Sequence, residues 1–194
     1  MTKSDIATGL TELIFILGAQ DPEMAAIEAA IRAVYAHYEQ DPYVVYAGFT
    51  GADGVVARCH GGVAYKGTHL IDESFVPRPI VDPSDIDGVC GYSDDTPFED
   101  QDGLIPVWIE CEVNGGDRKR GIVVDHHRPG DAGYGASPER FWEASSIGQM
   151  YRLLTRGYWV DVEVANAAFG EERLLIAASD HCPGHAFAGK CPGV

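Results

Sequence analysis

Positive charge is what this sequence has least of. Its 194 residues carry 14 Lys and Arg against 30 Asp and Glu, a formal net charge of −16, with a pI near 4.6. Electrostatic capture of long duplex nucleic acid or of an anionic membrane needs clustered Lys and Arg, so neither is expected as a partner. Long apolar runs are missing as well: no stretch approaches the roughly 18 residues of a membrane helix, and residues 1–13 lack the charged-then-apolar order of a secretory signal. A cytoplasmic protein is expected. The five cysteines are an odd number, widely spaced and without a CxxC pair. That pattern suits reduced thiols, and no structural disulfide is expected.

What is present is globular. Hydrophobic residues make up 45% and charged residues 23%, a balance that supports one domain over residues 1–194 rather than a disordered tail. The acid excess is local. Ten acids fall between Asp72 and Asp102, where the one basic residue is Arg78. With Pro77, Pro79, Pro83 and Pro97 in the same stretch, residues 72–103 read as an acidic, loop-rich insertion.

Hydrophobic patterning alternates between strand and helix. The run LIFIL (13–17) reads as a strand buried on both faces, followed by a helix with Asp21 as cap, Pro22 at its first position and Ile27, Ile31, Val34 and Tyr38 on one stripe. YVVYAGF (43–49) is a second strand, and the Gly-rich passage 48–67 holds a hairpin. LIPVWIECEV (104–113) and GIVV (121–124) are two more strands. Pro138 starts a helix with Phe141, Ile147, Met150, Tyr151 and Leu154 as its stripe, and LLIAA (174–178) reads as a last apolar strand. The fold class expected is α/β: an open, mostly parallel sheet with helices on both faces and its sites at the carboxyl ends of the strands.

Those ends carry acids and histidines. Leu17 is followed by Asp21 and Glu23, Val124 by Asp125-His126-His127, and residue 178 by Ser179-Asp180-His181, while Glu110 and Glu112 sit near the end of a fourth strand. As i and i+2 residues they share a face, which leaves the choice between them open. Mixed carboxylate and imidazole ligands favour manganese, iron, zinc or cobalt over calcium.

GIVVDHH, followed after a Gly- and Pro-rich loop by WEASSIGQMYRLL, resembles the DHH phosphoesterase superfamily. Its members include manganese-dependent pyrophosphatases, RecJ-type exonucleases and small-oligonucleotide phosphatases. In that superfamily the signature ends a buried strand and precedes a Ser-rich helix start. The resemblance implies a DHH-like fold and a two-metal site built by Asp21, Glu23, Glu110, Asp125, His126 and Asp180, with His127 and Arg128 facing the substrate phosphate. Manganese is the expected metal, with zinc, cobalt or magnesium as alternatives. Asp180, 54 residues beyond His126, fits the family's last motif. Three positions depart from the pattern: Leu17 stands where the first motif has His, Glu23 where it has Asp, and Glu110 or Glu112 where the second has Asp.

The activity implied is metal-dependent hydrolysis of a small phosphate ester or anhydride: a nucleotide, a short oligonucleotide or pyrophosphate. The family's second, substrate-binding domain is not expected in residues 1–194. Recognition then falls to this domain, to residues 50–103, or to a second subunit of a homo-oligomer. Arg118, Lys119 and Arg120 form the one basic cluster. The departures motivate an alternative, a non-catalytic nucleotide- or protein-binding module derived from the same fold. A third reading makes residues 72–102 an acidic docking surface for a basic partner. The tail raises a separate zinc site from His181, Cys182, His185 and Cys191, although C-x2-H-x5-C matches no common zinc module. Cys59, His60 and His69 raise the same question. Ser145 and Ser146 read as helix caps rather than nucleophiles.

Overall fold

The computed structural model describes residues 2–18, 21–46, 48–50, 56–60, 63–66, 69–70, 105–111, 122–192 and 194. The acid-rich stretch 72–103, Glu112 and the basic cluster 118–120 lie outside the described residues, as do the side chains of Cys59, His60 and His69. The protein is α/β, with a four-stranded parallel sheet and helices. It divides into two compact units.

The sheet unit comprises residues 12–20 and 43–123. Its strands are β1 (Leu13–Leu17), β2 (Tyr43–Tyr46), β3 (Gly48–Thr50), β4 (Val56–His60), β5 (Val63–Lys66), β6 (His69–Leu70), β7 (Ile105–Ile109) and β8 (Ile122–Val124), which runs on into the other unit. The parallel sheet has the order β2-β1-β7-β8. All five residues of β1 are buried, as an uninterrupted apolar run requires when a strand is flanked on both sides and covered on both faces. Beyond β1, Gly18 N–H donates to the Ile109 carbonyl at 2.8 Å and the Cys111 thiol to the Ile16 carbonyl at 3.2 Å. The second sheet is an antiparallel meander, β3-β4-β5-β6, which contains the hairpin expected at 48–67. The single strand expected at 43–49 is split between the two sheets.

The helical unit comprises residues 1–11, 21–42 and 124–194. It holds α1 (Lys3–Leu10), α2 (Pro22–His37), α3 (Phe141–Ala144), α4 (Ser146–Arg152), α5 (Val162–Phe169), α6 (Arg173–His181) and α7 (Pro183–Phe187). Asp21 caps α2 by accepting the Met24 N–H at 2.9 Å. Ile27, Ile31 and Val34 of its apolar stripe are buried, and α2 packs against α4, α5 and α6. Two tyrosines tie the ends: Tyr35 OH donates to the Leu10 carbonyl, and Tyr38 OH accepts the Asp161 N–H ahead of α5. Trp142, Tyr151 and Phe169 stack edge to face across α3, α4 and α5.

Two expected elements are corrected. LLIAA is not a strand but the body of α6. Ala177 and Ala178 are fully buried while Leu175 is 53% exposed, the one-sided cover of a helix rather than the two-sided cover of a central strand. A five-residue apolar run fits either element, and here Leu and Ala carry helix propensity with Ile176 the one β-branched residue. Gly170, at φ +71°, ends α5 and lets a new helix begin. The helix expected from Pro138 is also interrupted. A 3-10 turn (Pro138–Arg140) leads into α3, Ser145 is extended at ψ 154°, and α4 then continues into a π-helical turn (Leu153–Gly157). The stripe survives the break, with Phe141, Ile147, Met150 and Leu154 buried. No helix among the described residues is long and apolar enough to cross a membrane.

Candidate metal centre

β8 ends at Val124 and the chain turns at once through Asp125, His126 and His127. The turn is organised by one carboxylate oxygen. Asp125 Oδ1 accepts the backbone N–H groups of His126 at 2.8 Å and His127 at 3.1 Å, and lies 2.9 Å from His127 Nδ1. As an acceptor already, it takes the Nδ1 proton of His127 and leaves Nε2 of that ring with the lone pair. The Asp125 carbonyl is bound by the Gln149 side chain of α4 at 3.0 Å. The same Gln149 nitrogen reaches the Ala144 carbonyl at 2.7 Å, so the turn is pinned to the α3–α4 break. Gly133 closes over the turn, where an added Cβ would stand 2.7 Å from the His126 Cβ and 2.0 Å from the Ala144 carbonyl oxygen.

His126 is held from two sides by the end of α6. Its Nε2 lies 2.6 Å from Asp180 Oδ2, and its Nδ1 lies 3.3 Å from His181 Nδ1. His181 in turn places Nε2 3.1 Å from the Ala136 carbonyl. A carbonyl only accepts, so the His181 proton sits on Nε2. Burial lowers the pKa of His181, and the neighbouring His126 adds to the shift against the opposing pull of Ala136 and Asp180. The ring is then neutral and its Nδ1 accepts a proton from His126 Nδ1. A His126 ring that gives its Nδ1 proton to His181 directs an Nε2 lone pair at the carboxylate oxygen of Asp180. Two acceptors at 2.6 Å call for a proton between them, on the ring or on the carboxyl, or for a cation bound by both.

The donor set suits a cation. One ligand atom from each of His126, His127 and Asp180 lies within 4.8 Å of the others, two imidazoles and a carboxylate, the combination that holds manganese, iron, zinc or cobalt. Burial disfavours the charged form of Asp180, but the hydrogen bond and charge of His126, with a hydrogen bond from Glu23, outweigh it and hold its carboxyl below the ordinary value. Glu23 is itself buried, so two carboxylates meet in a dry place, a contact that a shared proton or cation relieves. Glu23 Oε1 accepts the Ile147 N–H in the first turn of α4 at 2.8 Å.

The residues expected from the sequence are thus placed as follows. His126, His127 and Asp180 come together, with Glu23 beside Asp180. Asp125, expected as a ligand, supports His127 from behind, and His127 takes the forward place. Asp21 caps α2. Arg128 is half-buried, and its backbone N–H is fixed by Asp131 Oδ2 at 2.8 Å. Glu110 belongs to the sheet unit, where it follows β7, fully buried and at φ +51°. That backbone region is costly for a side chain with a Cβ and is held where surrounding structure requires it. Ser145 caps α4 through Gly148 N–H, as read. Among the described residues, the four tail residues raised for a separate zinc site form no metal-ligand group. His181 faces His126, whereas Cys182 and Cys191 face each other. Two supporting residues escaped the sequence reading: Gln149 carries no signal beyond its helix, and Gly133 is one glycine among several in its loop. His181 was read beside Asp180 and as a candidate zinc ligand, not as a partner of His126.

Comparison of the chain with family models, curated proteins and solved structures finds no match.

Proposed function

We propose that this protein is a divalent-metal-dependent phosphohydrolase of the DHH type, acting on a small phosphate ester or anhydride such as a nucleotide, a short oligonucleotide or pyrophosphate. The observation that supports it most is the approach of His126 Nε2 to Asp180 Oδ2, with the His126 Nδ1 already committed to His181. His126, His127 and Asp180 would hold the ion, and Asp125 would keep the His127 ring turned toward it. Bound there, a divalent cation supplies Lewis-acid polarisation of a phosphoryl oxygen and a water of lowered pKa. Arg128 would offer the substrate phosphate a paired hydrogen-bond contact. Manganese heads the candidate metals on the family resemblance, with zinc, cobalt and magnesium after it.

The test is metal content and turnover together. Chelator-stripped protein is expected to take up Mn²⁺ and then to hydrolyse at least one of nucleotides, short oligonucleotides and pyrophosphate. No retained metal with no hydrolysis sinks the reading. His126→Ala is expected to abolish retention and turnover in one step while the far-ultraviolet circular dichroism stays unchanged. The motif order gives ligand parts to Asp21, Glu23 and Glu110 too, and Asp21→Asn, Glu23→Gln and Glu110→Gln enter the same retention measurement.

A second reading, a non-catalytic nucleotide- or protein-binding module, is favoured by the use of Asp21 and Glu23 as helix caps. Stabilisation by nucleotide without metal supports that module, whereas stabilisation that requires metal supports the enzyme.

A further inference from the structure

The Sγ atoms of Cys182 and Cys191 lie 3.1 Å apart, only about 1 Å beyond the roughly 2.05 Å of a disulfide bond. Both residues are buried, at 8% and 4% exposure. We infer that Cys182 and Cys191 are a dithiol modification site, oxidised to an intrachain disulfide by exchange with a low-molecular-weight disulfide of the oxidised-glutathione class. This inference does not depend on the function proposed above.

The intervening chain is folded to bring the pair together. Cys182 ends α6, and its carbonyl accepts the N–H groups of His185 at 2.9 Å and Ala186 at 3.0 Å. After α7 the backbone doubles back: Gly189 N–H donates to the Ala186 carbonyl, Lys190 N–H donates to the His185 carbonyl, and Gly189 takes φ +63°. Ring closure is therefore already made in the reduced protein, and the S–S bond adds little further ordering. A zinc corner is the competing use of such thiols, but among the described residues no metal-ligand group forms around them. Access comes from the exposure of the short segment between them, where Phe187 is 90% exposed and local opening uncovers both sulfurs.

The exchange is balanced in two steps. One cysteine sulfur attacks the small disulfide, breaks its S–S bond and releases one small thiol, leaving a mixed disulfide. The second cysteine sulfur displaces the remaining small thiol and forms the Cys182–Cys191 bond. Two protons leave the cysteines and end on the two released thiols, and two electrons pass from the protein to the small disulfide.

Because Lys190 stands between the cysteines, trypsin separates them and leaves only the disulfide joining residues 174–190 to 191–194. The native full chain is incubated with graded ratios of oxidised to reduced glutathione, quenched in acid, alkylated unfolded and digested. The expected result is the joined peptide pair, an intact mass lower by two hydrogens and reversal by dithiothreitol. Cys182→Ser and Cys191→Ser should each lose the joined pair, and Cys111→Ser should keep it. Alkylation of both cysteines at a ratio that fully oxidises a reference dithiol overturns the inference. So does pairing of either with Cys59, Cys90 or Cys111, or a stable glutathione adduct in the unaltered chain.

Discussion

At Asp125 a single carboxylate oxygen meets two backbone N–H groups and one imidazole nitrogen, so it sets both the shape of the turn and the orientation of the His127 ring. Asp125→Asn retains an oxygen in the same place and removes the carboxylate charge. The expected outcome is a fall of about 10–100-fold in metal affinity with little change in fold, the usual cost of losing a partner behind a ligand, read by calorimetric Mn²⁺ titration. Asp125, His126, His127 and Asp180 were legible in the sequence because each follows an apolar run and the four share one chemistry. The division of labour was not. Which of Asp125 and His127 faces forward depends on χ angles and on Ala136, Gln149 and His181, residues 10 to 55 positions away from the turn's His126. No local pattern encodes contacts at that range.

Among the elements, the break between α3 and α4 does most to position the site, because Gln149 and Glu23 both attach there. It depends on Gly148, where an added Cβ would stand 1.6 Å from the Trp142 carbonyl oxygen. Backbone cannot yield as a flexible side chain does, so Gly148→Ala is expected to cost about 3 kcal/mol or more. A lower denaturant midpoint with an unchanged slope would show it. The sequence reading found the stripe of this segment and its serine caps but drew one helix through them, since the stripe continues in phase across Ser145. It found β1, α2, β7 and β8 for the opposite reason: each is bounded by an abrupt change from apolar to polar. α6 was misread because its apolar run is short enough to suit a strand, and only the exposure of Leu175 separates the two.

For the molecule as a whole, the consequence of the half-buried Asp180 and His181 is a stability that declines with acid. In metal-free protein His181 has a pKa below its ordinary 6.5. The unfolded chain therefore binds a proton that the folded chain refuses, and stability begins to fall as pH drops below about 6.5. Asp180 is held below its ordinary 3.8, so its contribution is complete above that value and is lost as pH falls through its folded pKa. Both signs agree: urea midpoints of chelated protein should decrease from neutral pH toward pH 3, and His181→Gln should remove the upper part of the decline. A midpoint that rises on acidification from pH 7 to 5 would contradict this assignment.

Glu23 has one oxygen on the Ile147 amide and hydrogen-bonds to Asp180. A carboxylate that touches the proposed ligand Asp180 is thus also a fastener for the first turn of a helix, and the Ile147 N–H becomes a gauge of what occupies the centre. Drawing Glu23 electron density toward a cation weakens its grip on that amide. Hydrogen exchange at Ile147 should then change on loading with Mn²⁺ or Zn²⁺, while amides in the middle of α2 stay constant. One backbone proton would report occupancy without any substrate being known.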